Sequence, residues 1–218
     1  MRYIVGIDEV GRAASKRRAS SYRYVIGIDE VGRGSLAGPV VVAAVLLPRS
    51  LRLQNLSLGE LRDSKRLTPR KREAWFHYLK THPDLRYTLA RVYPRTIERI
   101  NITKAANRAA LRAFLRLLKV CGGRAGACSV YLDGGLYLGQ GQPFFPRAKT
   151  VVRGDDKISA IKAASIVAKV SRDRLMVRLA KKFPQYGFEI HKGYGTVKHR
   201  FALARHGPTS AHRATFLS

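Results

Sequence analysis

The feature that most constrains the fold is the run VVVAAVLL at Val40 to Leu47, set between Pro39 and Pro48. It is the longest apolar run in the chain, and its length suits a buried-type strand and falls well short of a membrane-spanning helix. Just before it, Tyr24 to Asp29 reads as a second strand. A glycine-rich turn, GRGSLAGP, joins the two and is short enough to suggest an antiparallel pair.

Downstream, strands mix with helices. Arg86 to Tyr93 reads as a strand, Ser129 to Asp133 as a short one and Thr150 to Arg153 as another. A helix is expected to begin near Thr68, with Pro69 at its first position and Trp75, Phe76 and Leu79 facing inward. A second follows Thr103 as cap, carries Ala106, Ala109, Ala110, Ala113, Phe114, Leu117 and Leu118 on one face, and stops at Gly122-Gly123. A long helix runs from about Lys157 to Lys182, and a last one from Val197 to His206, closed by Gly207-Pro208. Strands first, then alternation with helices, imply an α/β fold with a mixed sheet. The chain's 218 residues suffice for one domain with a full core, or one domain plus a small appendage.

An appendage is suggested by a repeat. RYIVGIDEVGR at 2–12 returns as RYVIGIDEVGR at 23–33, changed only by an Ile/Val swap at two positions. The first copy runs into the basic, small-residue stretch AASKRRASS, whereas the second enters the strand pair. Residues 1–21 are therefore expected to be an appendage, with 22–218 as the folded domain. Two copies are too few for a solenoid.

Lys and Arg number 42 against 14 Asp and Glu, a formal charge of +28. A polyanion is the expected partner, and nucleic acid fits best because phosphate contacts release counterions. A basic surface suited to an unusual cell interior is the alternative. The acidic and arginine-broken start does not read as a signal peptide, and no apolar stretch suits a membrane span. A cytoplasmic protein is expected, a monomer as the simplest case. Cys121 and Cys128 lack metal-ligand spacing and read as reduced structural thiols. His191, His199, His206 and His212 do not form a zincin-type helix pair.

With so few acids, their placement is informative. Asp29 with Glu30, Asp133 and Asp155 all fall at strand ends. Converging carboxylates repel one another and pay desolvation unless a cation compensates, and oxygen-only ligands point to Mg²⁺ or Mn²⁺. Two such ions about 4 Å apart suit in-line phosphodiester hydrolysis. Taken singly, each acid could equally cap a turn or pair with an arginine. Asp173, inside a helix between Arg172 and Arg174, reads as a structural ion pair. Behind the acidic pair, Gly32, Arg33 and Gly34 allow close backbone approach and offer a guanidinium to a phosphate. DSKRLTPRKR at 63–72 sets Lys65, Arg66, Arg70, Lys71 and Arg72 on a loop and helix start suited to phosphate contacts, with a merely solvated charged face as the alternative for the last three. HKGYGTVKHR at 191–200 places Tyr194 between glycines, where its ring can lie against a sugar or base, although a core tyrosine is the bland alternative.

In order and spacing, GIDEVGRG, DSKRLT, YLDGG, RGDDKISAIKAASIVAKVSRDRLM and HKGYGT resemble the bacterial ribonuclease HII family over about residues 23–217. The resemblance implies a ribonuclease H-like fold, a mixed five-stranded sheet flanked by helices, with a C-terminal helical segment helping to hold the hybrid. It implies endonucleolytic hydrolysis of the RNA strand of RNA/DNA hybrids, and incision 5′ of ribonucleotides embedded in duplex DNA, as in ribonucleotide excision repair. The products implied are 3′-hydroxyl and 5′-phosphate ends. By the same resemblance Asp29, Glu30, Asp133 and Asp155 are the metal-site acids, and Gly32, Arg33 and Gly34 sense the ribose 2′-hydroxyl. Tyr194 stacks on the neighbouring sugar, and Lys65 and Lys192 contact the backbone. Val31 stands where the family pattern has alanine. A non-catalytic basic nucleic-acid-binding protein is the alternative; it accounts for the charge but not for four acids at strand ends.

Asp8 and Glu9 repeat the acidic pair without the GSLAGP turn behind it. Replacing both with Ala is expected to leave hydrolysis of a ribonucleotide-bearing duplex intact, and a loss of activity in that assay would make the first copy catalytic.

Overall fold

The computed structural model describes residues 23–55, 57–61, 64–121, 128–139 and 148–217. The expected appendage, residues 1–21, and the helix stop at Gly122-Gly123 lie outside the described residues. Strands β1 (Tyr24–Val31), β2 (Val40–Pro48), β5 (Arg86–Val92), β6 (Cys128–Asp133) and β7 (Ala148–Val151) make one five-stranded sheet in the order β5-β2-β1-β6-β7. A two-residue ribbon, β3 (Gln54–Asn55) with β4 (Gly59–Glu60), stands apart. As expected, β1 and β2 pair antiparallel, whereas β1, β6 and β7 run parallel, so the sheet is mixed.

β2 is buried on both faces, which is why its sequence shows no polar alternation. Val40, Val42, Ala44 and Leu46 pack on one side with Ala106, Ala109, Ala110, Ala113, Phe114 and Leu117 of α3 (Ile102–Cys121). Ala43, Val45 and Leu47 pack on the other with Trp75, Phe76 and Leu79 of α1 (Pro69–Thr81) and with α5 (Ser159–Lys182). Thr68 caps α1 as expected, its hydroxyl accepting the Lys71 amide at 3.3 Å. α5 crosses β1 so closely that a Cβ at Gly27 would lie 2.1 Å from the Ala160 carbonyl carbon. Cys121, at the end of α3, and Cys128 are buried in the core cluster under that helix, and burial pushes the Cys128 thiol up to about 11.

Several boundaries differ from expectation. α3 begins at Ile102, and its cap is not Thr103 but Asn101, which adopts a positive φ and accepts the Lys104 amide at 3.0 Å. The helix α2 (Pro94–Ile100), with Pro94 in its first turn, directly follows β5 and was not anticipated. The strand expected at Thr150 to Arg153 is shifted to Ala148–Val151. Arg153 takes a left-handed conformation, and a single turn, α4 (Gly154–Lys157), intervenes before α5.

The C-terminal segment folds over the end of the sheet that carries the turn after β1. α6 (Phe188–His191) and α7 (Val197–His206) enclose a third apolar cluster with Ala37, Met176, Tyr186, Phe188 and Ala211. His191, His199 and His212 are buried beside it. Burial, reinforced by the neighbouring His199 and His191 imidazoles, lowers His212 from 6.5 to about 4. An imidazole depressed in the folded state takes up a proton on unfolding. Its contribution is therefore fully present above about pH 6.5 and is lost as the pH falls towards 4. We expect thermal melts of wild type and His212→Gln to converge across that window, the wild type losing on the order of 2 kcal/mol that the variant does not. A constant gap between the two melting temperatures would show that His212 is not held neutral.

Candidate active site

Three parallel strands deliver carboxylates to one edge. β1 pairs with β6 through Ile28 opposite Leu132, so the following residues, Asp29 and Asp133, fall side by side near the carboxyl ends of the two strands. Asp133 in turn pairs with β7 at Val151, and Asp155 follows in α4. Ligand sites at the carboxyl ends of parallel strands are a general property of such sheets.

Asp29 is 4% exposed, and burial, then the charges of Glu30 and Asp133, raise its carboxyl well above the usual range. Hydrogen bonds from Ser165 and from the Glu30 amide, 2.7 Å from Oδ1, pull the other way. Burial also raises Glu30, opposed by Arg33. Asp133 Oδ1 accepts the Gly154 amide at 2.8 Å, which ties β6 to the α4 turn. Two tethered cations face the acids. Arg33 Nη1 lies 3.3 Å from Glu30 Oε1, and Lys65 Nζ lies 3.0 Å from Asp155 Oδ2. Glu30 Oε2 is buried with no hydrogen-bond partner among the described residues. Among those residues no three acids, histidines or cysteines stand close enough to hold a metal ion as they are. The donors are nonetheless all hard oxygens, and the unpaired Glu30 oxygen is one that a divalent cation would satisfy.

The loop after β1 is shaped by two arginines, each with no exposed surface. Arg172 donates to Pro39 O (3.0 Å), Ala37 O (3.0 Å), Ser35 Oγ (2.7 Å) and Lys192 O (2.9 Å). Arg213 donates to Gly32 O (2.7 Å), Arg33 O (2.9 Å) and Gly38 O (2.8 Å). Burial and the Arg172 charge bring Arg213 down to about 9, so it stays cationic at neutral pH. Gly32 has φ 87°, and a Cβ there would lie 2.1 Å from Arg172 Nε, whereas a Cβ at Gly34 meets nothing within 4 Å.

Residues 193–195 dock on the same loop. Gly193 O accepts the amides of Leu36 (2.8 Å) and Ala37 (3.2 Å), and the half-buried Tyr194 ring lies 5.4 Å from the Arg172 guanidinium. Of the residues singled out from the sequence, the structure joins Asp29, Glu30, Arg33 and Asp133, connects Lys65 to Asp155, and links Gly32 to Tyr194 through Arg172. Lys192 reaches the same network by its carbonyl, while its ammonium turns back to Glu189 O.

Some assignments change. Arg72 does not face solvent for phosphate contact; it holds Ser64 O and Leu67 O and stands 3.7 Å from Asp173. Asp173 is a structural ion-pair residue as expected, but with Lys169 (2.8 Å) and Arg72. Arg174 pairs with Glu73. Thr103, Ser165, Arg172 and Arg213 were missed as parts of the site. Thr103 Oγ1 accepts from Arg33 at 3.1 Å, and nothing in its local sequence announces that partner 70 residues away.

Three comparisons bear on this site. The family model for Ribonuclease HII matches residues 26–218. Ribonuclease HII of Endomicrobium trichonymphae is 44% identical over 98% of this chain and 84% of its own length. That of Nitratidesulfovibrio vulgaris is 43% identical over 84% and 81%. The crystal structure of ribonuclease H2 from Pyrococcus horikoshii OT3 superposes with a TM-score of 0.65 at 25% identity, covering 88% of this chain and 93% of that one.

The two loop glycines should separate cleanly. Gly32→Ala is expected to cost about 3 kcal/mol from the left-handed backbone and the Arg172 clash, lowering the melting temperature by roughly 6–12 °C. Gly34→Ala should shift it by no more than about 2 °C. Equal shifts in calorimetry would mean that the loop is not fixed by Arg172.

Proposed function

The chain belongs to the ribonuclease HII family, and from that premise we propose that this endoribonuclease of RNA/DNA hybrids also incises duplex DNA 5′ of single embedded ribonucleotides. Asp29, Glu30, Asp133 and Asp155 would hold two divalent ions of the Mg²⁺ or Mn²⁺ class. When bound, such ions lower the pKa of a water and stabilise charge on the leaving oxygen.

The protein's own part is chiefly positioning. The sheet edge fixes the carboxylates without a reorganisation cost at the moment of reaction. Water adds to phosphorus in line with the departing 3′-oxygen, which leaves a 3′-hydroxyl upstream and a 5′-phosphate on the ribonucleotide, with no covalent enzyme intermediate. The backbone of Gly32, Arg33 and Gly34 approaches the ribose 2′-hydroxyl, the group that distinguishes RNA from DNA. Tyr194 lies against the adjoining sugar, and Lys65 and Lys192 meet backbone phosphates. The excess of cations over the rest of the chain draws in the duplex.

The observation that carries this reading is that Gly32, two residues after the acidic pair, is linked to Tyr194 by one buried side chain of α5, Arg172. A basic protein that merely binds nucleic acid has no need of either feature. The test is cleavage of a DNA duplex carrying one ribonucleotide, with Mg²⁺ or Mn²⁺ against EDTA. Metal-dependent incision 5′ of the ribonucleotide is expected, reduced on the order of a hundredfold or more by Asp133→Asn. Binding without cleavage of that duplex and of an RNA/DNA hybrid would leave the chain a non-catalytic nucleic-acid-binding protein.

A further inference from the structure

Three of the chain's six histidines, His191, His199 and His212, are buried together, and the chemistry above uses none of them. Their hydrogen bonds admit one set of tautomers. His199 Nδ1 lies 3.0 Å from Tyr194 O, an acceptor, so Nδ1 carries the proton and Nε2 a lone pair. His199 Nε2 lies 3.1 Å from His212 Nε2, so His212 must be the donor there. The Nδ1 of His212 is then an acceptor, and it meets the Thr209 amide at 3.0 Å. His191 donates from Nε2 to Tyr186 O at 2.7 Å and accepts the Gly193 amide on Nδ1 at 3.1 Å. Its ring stacks on His199 with centroids 4.4 Å apart and planes 15° off parallel.

The chain is thus pinned on both sides of Tyr194. The Gly193 amide goes to the His191 ring, the Tyr194 amide to His191 O at 3.1 Å, and the Tyr194 carbonyl to His199 and to the Thr196 amide at 2.8 Å. Only the ring of Tyr194 is left to face the loop, near Arg172 and Lys169.

We propose that His199, backed by His212, is a positioning residue for Tyr194. A directed line of hydrogen bonds runs from the Thr209 amide through His212 and His199 to the Tyr194 carbonyl, and it fixes where the ring meets the substrate sugar. The line works only while both imidazoles are neutral, because a second proton on His199 would set two N–H groups against each other at 3.1 Å. Burial lowers both rings, which keeps them neutral. The inference rests on the reading of Tyr194 as a substrate contact.

The test has a spectroscopic and a kinetic arm, both on the full chain. Long-range ¹H–¹⁵N spectra of the wild-type imidazoles at pH 7 should show His199 protonated on Nδ1 and His212 on Nε2; the reverse tautomers, or a charged ring, overturn the proposal whatever the variants do. In steady-state cleavage of the single-ribonucleotide duplex, His199→Leu should raise KM about tenfold with kcat within about twofold, while His199→Asn, whose amide can still donate to Tyr194 O, recovers most of the loss. In a Tyr194→Ala background His199→Leu should add nothing. Full additivity overturns the positioning role but leaves Tyr194 a substrate contact. An unchanged KM in Tyr194→Ala alone removes that contact, and the proposal with it.

Discussion

The site depends on two cations buried without a salt-bridge partner among the described residues. Placing a guanidinium in the interior costs several kcal/mol unless its donors are satisfied. Arg172 and Arg213 satisfy theirs almost wholly with main-chain carbonyls of residues 32–39, plus Lys192 O and Ser35 Oγ. Carbonyls do not gather round a point by preference, so the loop takes the shape that serves the two guanidinium forks. That shape demands the left-handed Gly32 and leaves Gly34 open. Lysine could not replace either arginine, since a single ammonium cannot span the carbonyls that a planar fork reaches.

Against this cationic scaffold the acidic edge is an electrostatic exception. The chain carries a formal +28, yet the buried Asp29 sits against the half-buried, like-charged Glu30, and both are held partly towards their protonated forms. Arg33 neutralises part of the charge on Glu30, and Lys65 does the same for Asp155. Both side chains belong to the set proposed to meet the substrate. On the proposed function, a phosphate arriving with divalent cations would offer each a new partner as the carboxylates gain theirs, which would couple substrate binding to charge compensation at the acids by exchange of ion pairs.

What was legible in the sequence follows from this division. β2 could be read because burial on both faces leaves an unbroken apolar string, β1 because it precedes the glycine-rich turn into β2, and the acids stood out because acids are scarce. The inner faces of α1 and α3 followed from ordinary periodicity. Thr103 was misread as a cap because Ser and Thr favour that place locally; Asn101 takes it with a positive φ, and the Thr103 hydroxyl serves Arg33 instead. Arg172 was assigned to the neighbourhood of Asp173, but helix geometry turns adjacent residues about 100° apart, and it points inward while Asp173 meets Lys169. No local pattern distinguishes a buried arginine from its exposed neighbours in a chain with 42 basic residues.

The same division separates catalysis from recognition in stability. The carboxylates are anchored by strand pairing in the central sheet and by the α5 packing behind it. The placement of Tyr194 relies on contacts of very long sequence separation, such as Gly193 with Leu36 and Arg213 with Gly32, and on a small apolar cluster around Tyr186 and Phe188. Small clusters closed by long loops open at lower free energy than a central sheet. Local opening of the C-terminal segment would thus release the Tyr194 ring while the acids stay in place, so that, on the proposed reading of Tyr194, substrate recognition is the more fragile of the two properties.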